Sequence, residues 1–182
     1  MQSATDERQT DRRSRGQTRA LFWTAGAALL FLAGSLLAPL LQSSPGADLL
    51  RVAYAPLCHQ RAERSLEIGS GTQAVCARCS GLYAGATIGL FAAALGLAGS
   101  GRRLRPWMLA AALTPTAIDA LVPWVGLSGL PNLPRLWLAA PAGFVTALFL
   151  AVGVADLVAM WESRRTPRPI RVPSRPVEEV DA

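Results

Sequence analysis

Four long runs of apolar residues, set apart by arginine-bearing stretches, constrain this chain more than any other feature. The runs cover Ala20 to Leu41, Gly81 to Ala98, Pro106 to Leu127 and Leu136 to Trp161. The first is 22 residues long, roughly 33 Å as a helix, against a hydrocarbon core of about 30 Å. Such runs lack the period of a helix that hides one face from water. They predict an all-α, polytopic membrane helix bundle of about four transmembrane helices, covering 20–161, with a Cys/His loop at 42–80 between the first two. A secretory signal is the rival reading of the first run. It is disfavoured because the run exceeds a signal's apolar region and no small-x-small cleavage site follows. Arg12-Arg13 has no twin-arginine context around it. The polar ends, 1–19 and 162–182, read as disordered tails, the second rich in Pro and Arg.

All 18 basic residues are arginine, and the formal charge is +6. A basic chain can signal nucleic acid. Here the arginines flank the apolar runs, so they are read as orienting charges and no nucleic-acid partner is expected. With four spans, thirteen arginines fall on the side of the two termini and five on the other. The positive-inside rule then places both termini in the cytoplasm, the chain in the inner (plasma) membrane, and the Cys/His loop outside.

Gly81, Gly85 and Gly89 recur every four residues and share one helix face. This is a small-xxx-small ridge, which lets a second helix come close and offers a route to a homo-oligomer. The third run carries Asp119 with Pro115 and Pro123; the lipid bilayer tolerates internal prolines where neighbouring helices satisfy the freed carbonyls. Within the loop, the semi-apolar stretch Ala47 to Leu57 is expected to lie along the interface.

All three cysteines and the one histidine fall within 22 positions, as Cys58-His59 and Cys76-Ala77-Arg78-Cys79. Cysteines in so apolar a chain can serve as small hydrophobes scattered through the spans; their clustering argues for joint use. Three uses are open. One is a metal site: the Cys76-x-x-Cys79 pair grips an ion, and Cys58 with His59 completes a Cys3His set suited to Zn2+ or another transition metal. Adjacent residues rarely both reach one ion, which sets Cys58 and His59 against each other as ligands. The second is thiol-disulfide chemistry, with both cysteines near a helix N-terminus that favours the thiolate. The third is a structural disulfide, leaving one cysteine over. The sequence contains no C-x-x-C-H, P-loop, G-x-S-x-G or H-E-x-x-H pattern.

Polar residues elsewhere extend the candidate site. Asp119 lies about twelve residues into its run, in the outer half of the membrane, where an ionised carboxylate needs a partner. Arg135 or Arg64 is the expected partner, with Asn132 beside them. Glu63 and Arg64 read as a loop pair or as surface charges, Arg78 adds positive field at the thiols, and Asp156 is expected to be solvated. A small-ion transporter or channel-like protein using Asp119 is a further reading, and so is a membrane thiol-disulfide oxidoreductase.

Taken together, Cys58-His59-Gln60-x-x-Glu63-Arg64-Ser65 followed by Val75-Cys76-Ala77-Arg78-Cys79-Ser80-Gly81-Leu82-Tyr83-x-Gly85 resembles the membrane protein family called domain of unknown function 2085. Pro115-x-x-Ile118-Asp119, Asn132-x-x-Arg135 and Gly143 extend the resemblance, which covers about Leu50 to Gly143. It implies one pattern that joins Cys58, His59, Arg64, Cys76, Arg78, Cys79, Asp119, Asn132 and Arg135, and it implies no activity. After Asp119 the family pattern carries Gly and then Gln, where this chain has Ala120 and Pro123-Trp124, so one polar partner for Asp119 is withdrawn.

Overall fold

The computed structural model describes residues 2–41, 44–97 and 104–165. Its elements follow one another as α1 (Gln2–Leu37), a 3-10 turn (Ala38–Leu41), α2 (Pro45–Tyr54), a 3-10 turn (Ala62–Arg64), β1 (Ser65–Ile68), β2 (Gly71–Cys76), α3 (Ala77–Ala94), α4 (Pro106–Leu121), a 3-10 turn (Val122–Val125) and α5 (Asn132–Arg165). Among the described residues, three helices are long and apolar enough to cross a membrane: Arg15–Leu41, Pro106–Val125 and Asn132–Trp161.

Prolines set several boundaries. Pro39 cannot donate to the ladder and restricts the residue before it, so α1 tightens into a 3-10 turn there. Pro45 and Pro106 open α2 and α4 at the first helical turn, where the missing N–H costs nothing. Pro123 sits in the 3-10 turn that ends the α4 rod, and Gly126, at φ +77°, closes that turn in the left-handed region. Helix α1 begins at Gln2, inside the stretch expected to be a disordered tail; its Gln, Glu and Arg residues extend a helix that the apolar run has nucleated. Helix α5 likewise runs on to Arg165, while the remainder of the C-terminal tail, 166–182, lies outside the described residues, as do 98–103 of the expected basic turn.

The helices pack side by side, and the contacts fix their directions. Gly81, Gly85 and Gly89 of α3 meet Leu136, Ala140 and Phe144 of α5 in rising order, so α3 and α5 run parallel. Leu21 and Ala25 of α1 share a cluster with Leu90 and Ala94 of α3 and with Ala147 and Ala151 of α5, so α1 runs against both. Gln17 Nε2 donates to Ala155 O at 3.2 Å, which joins the beginning of the apolar part of α1 to the later part of α5. Helix α4 runs against α5, with Thr116 Oγ1 donating to Leu138 O at 3.1 Å.

The interior is built of small residues. Ala25, Ala38, Ala139, Ala142, Ala147 and Ala151 are buried, while Trp23, Leu30, Trp107, Ile118, Leu121, Trp137 and Leu157 face outward. That is the reverse of a water-soluble helical domain and suits a lipid surround, where close backbone packing replaces the hydrophobic drive. The glycine ridge works within the chain: a Cβ on Gly85 would lie 1.9 Å from Ala140 O, and one on Gly81 would lie 2.1 Å from Leu136 O. The face expected to serve a second copy is therefore taken by α5 of the same chain.

Two expectations change in the segment 42–80. It is not one loop but helix α2 followed by an antiparallel hairpin, so the architecture is helical with one small β element. Helix α3 also starts at Ala77 rather than Gly81, because the polar Arg78, Cys79 and Ser80 occupy its first turn, where polar groups meet the unpaired N–H donors.

Candidate metal centre

The site forms where the hairpin caps the helix ends, and the sequence around Cys58 explains how. Helix α2 lies on α1 through Tyr54, whose hydroxyl donates to Phe31 O. Gly34 admits that hydroxyl; a Cβ there would lie 2.6 Å from it. The rings of Phe31 and Tyr54 stand 4.6 Å apart, and Tyr83 meets Phe31 edge-on at 4.8 Å. This aromatic layer, with Ala74 and Val75, forms the floor beneath Cys58 and Cys79.

After α2 the chain must turn back at once. Cys58 N donates to Tyr54 O at 3.1 Å, and Gln60 adopts φ +50°, a conformation uncommon for residues other than glycine. Its side chain holds the turn: Gln60 Nε2 donates to Arg51 O at 2.5 Å, and Arg51 Nη2 in turn donates to Thr72 O at 3.3 Å. Gln60 thus has a structural duty in the Cys-His-Gln string that sequence reading did not assign. The left-handed turn depends on tertiary partners and leaves no local trace.

The hairpin carries Cys76 to the start of α3. Ser65 pairs with Cys76 in the register, and Gly69 at φ +64° makes the reversal. A buried polar relay fixes it from below: Gln73 Nε2 donates to Ser35 Oγ at 3.1 Å, and Ser80 Oγ donates to Gln73 Oε1 at 2.8 Å. Ser35 and Gln73 also escaped the sequence reading, since a lone serine inside an apolar run is common there.

Three sulfurs converge as a result. Cys58, Cys76 and Cys79 are all free thiols, and their Sγ atoms all lie within 4.8 Å of one another. Cys58 is buried, and the backbone N–H of Cys76 donates to its Sγ at 3.2 Å. Cys76 is the N-cap of α3. Its pKa falls well below the ordinary thiol value, to about 5: the Cys79 thiol donates to it, and backbone N–H groups of Cys79 and Arg78 and the Cys58 thiol add to that, against the opposing effect of burial. Cys79 sits in the first turn of α3, one helical turn on.

All three cysteines line one cavity of about 630 Å³, together with His59, Arg61, Arg64 and Arg78. His59 is exposed at the cavity and stands outside the three-sulfur group. Of the adjacent pair, Cys58 turns inward and His59 outward.

Asp119 meets one of its two expected partners and gains a further one. Arg78 Nε donates to its Oδ2 at 2.5 Å, and Arg78 Nη2 donates to its backbone oxygen at 2.8 Å. Arg135 Nε stands 3.5 Å from the same Oδ2, so the expected Arg135 pairing is present and Arg64 is not part of it. Gly129 makes room for Arg135, since a Cβ there would lie 2.1 Å from its Nη2. Asp119 and Arg135 are both buried, and the polar partner that Ala120 and Pro123-Trp124 withdraw is replaced by Arg78 from α3. Asn132, in the first turn of α5, donates from Nδ2 to Ser65 O at 3.0 Å and to Glu63 O at 3.3 Å, tying the hairpin to the bundle. Glu63 pairs at 4.0 Å with Arg61, both well exposed, and not with Arg64.

Outward-facing apolar helices beneath a thiol-lined polar cap define the class: a membrane protein. Residues 58–149 match the predicted membrane protein family DUF2085, and the chain belongs to that family. The chain is also 31% identical over 102 residues to an uncharacterized protein of Methanocaldococcus jannaschii, a match covering 56% of this chain and 65% of that relative. The match thus spans a little under two thirds of the relative's length. No solved structure matches.

Proposed function

We propose that the chain is a four-span membrane protein whose outward cap holds a transition-metal ion, zinc first, on Cys58, Cys76 and Cys79. The observation that carries this reading is the three-way meeting of free sulfurs within 4.8 Å. A tetrahedral ion with metal–sulfur bonds of about 2.3 Å needs sulfurs about 3.8 Å apart, so small side-chain adjustments close the site. Thiolate ligands suit zinc and other thiophilic metals. His59 is the nearby candidate for the fourth position; otherwise that position takes a ligand from the cavity. Arg64, Arg78, Asp119, Asn132 and Arg135 surround and brace the site, and Glu63 stays at its rim.

Chain parity supports the fourth span. Helix α1 ends beside the cap, whereas α4 begins at the opposite end and finishes at Asp119 beneath the cap. The chain between them must return, and α3 runs parallel to α5 over 18 residues, roughly 27 Å. Tryptophans also mark both ends: Trp107 and Trp161 at one, Trp124 and Trp137 at the other, all more than half exposed. The arginine distribution favours cytoplasmic termini in the inner membrane and an outward cap.

A second reading is a thiol-disulfide oxidoreductase, favoured by the thiolate character of Cys76 at a helix N-terminus one turn from Cys79. Two guanidiniums on Asp119 make it a poor stopping point for a cation, so the transport reading is not carried further. Elemental analysis with thiol counting on purified protein separates the first two. The metal reading expects one ion per chain, lost in Cys79→Ser. Full metal content in that variant, or a reducible Cys76–Cys79 bond without metal, overturns it.

A further inference from the structure

We infer that the cavity beside the cysteines is a receptor for a phosphodiester, the singly charged group of a phospholipid headgroup or of a soluble phosphate ester. The inference rests on the metal reading for its charge balance. At the cavity, Arg64 and Arg78, with Arg135 behind them on Asp119, bring three positive charges. Asp119 offsets one, and a divalent ion on three thiolates is singly negative and offsets another. The exposed Arg61 and Glu63 offset each other. One positive charge is left, and no acidic residue lines the cavity among the described residues.

That charge has a location. Arg78 is fastened to Asp119 through Nε and Nη2. Arg64 is half-buried at the cavity wall, and its guanidinium has no hydrogen-bond or ion-pair partner among the described residues. A partly desolvated guanidinium gains most from a planar fork onto oxyanion oxygens, and phosphate and carboxylate are the groups it binds in this way. The rim favours phosphate on a lipid: Leu57 and Trp124 are apolar, largely exposed and border the same cavity at the end of the outward-facing helices. An acyl chain running down the bundle from this rim would leave its phosphate at Arg64.

The test uses the full chain, purified in non-ionic detergent, with titration calorimetry and metal analysis on the same samples. The probes are dihexanoyl phosphatidylglycerol and dimethyl phosphate. Saturable binding of the lipid that weakens about tenfold or more in Arg64→Gln, and recovers in part in Arg64→Lys, supports the receptor and a lipid source. Equal binding of dimethyl phosphate with the same dependence on Arg64 supports it with a soluble source. Binding of neither probe, or binding unchanged in Arg64→Gln, overturns it; one metal ion per chain in those samples would leave the metal centre standing. Phosphate binding through Arg64 in protein that holds no metal supports the receptor and overturns the metal centre. Arg64 sits on the cap rather than in the bundle, and Arg105→Gln, exposed where α4 begins at the opposite end of the bundle, serves as a control expected to bind as wild type.

Discussion

At the scale of single residues, the buried polar side chains of the cap are held by one another, while Arg64 at the cavity wall has no such partner among the described residues. Asp119 is the clearest case, because among the described residues it alone faces two guanidiniums in buried surroundings. A buried ion pair adds little over an apolar replacement, but removing one member leaves the rest uncompensated, at a cost of about 3–5 kcal/mol. Asp119→Asn keeps the shape and deletes the charge, so Arg78 and Arg135 then repel each other in place. The expected outcome is a fall in thermal unfolding midpoint in detergent, with Arg78 released from the first turn of α3. Because Arg78 adjoins Cys79 in sequence, metal retention should drop as well. Alanine at the exposed Glu63 should change neither, and a stable, metal-replete Asp119→Asn protein would show that the pair is not what positions Arg78.

At the scale of elements, the glycine ridge and the cap differ in how well the sequence announces them. Gly81, Gly85 and Gly89 are legible because a four-residue period can mean only one helix face, yet periodicity cannot name the partner. The partner proves to be α5, whose Gly143 reciprocates: a Cβ there would lie 2.0 Å from Leu82 O. The long apolar runs fix α1, α4 and α5 to within a few residues at their apolar ends for the same reason, as composition alone decides them. The hairpin was not legible, since its four- and six-residue strands are too short for alternation to stand out and its tie to the bundle comes from Asn132, 67 residues away. The convergence of Cys58 with Cys76 and Cys79 was suggested by clustering. Of the adjacent pair Cys58 joins the other two sulfurs and His59 does not, and what no local pattern announced is the left-handed Gln60 turn that follows them. The ridge yields a paired test. Gly85→Ala forces a methyl into the Ala140 carbonyl and should cost about 1–3 kcal/mol, whereas Gly26→Ala on α1 meets nothing within 4 Å and should be neutral or mildly stabilising. Unfolding in mixed micelles, with both variants side by side, reads the difference.

At the scale of the whole molecule, the decisive issue is whether α3 crosses the membrane, because its status sets the parity of the chain. Helix α3 carries Arg78, Ser80, Tyr83 and Thr87 among its apolar residues and is less lipid-like than its neighbours. A helix flanked by α1 and α5 can carry that composition, since its small and polar groups face protein. The bond from Gln17 to Ala155 brings the beginning of the apolar part of α1 and the later part of α5 to one end of the bundle, which an even number of crossings permits and an odd number forbids. Four crossings therefore expect fluorescent protein fused at either terminus to report the cytoplasmic side, and alkaline phosphatase inserted at the hairpin tip, after Ser70, to be active outside. The phosphatase graft tests a surface turn, so it leaves the glycine ridge and the aromatic floor untouched. If the two terminal fusions report opposite faces, α3 lies outside the bilayer, the antiparallel pairing of α1 with α5 cannot hold in the membrane, and the cysteines lose the frame that gathers them.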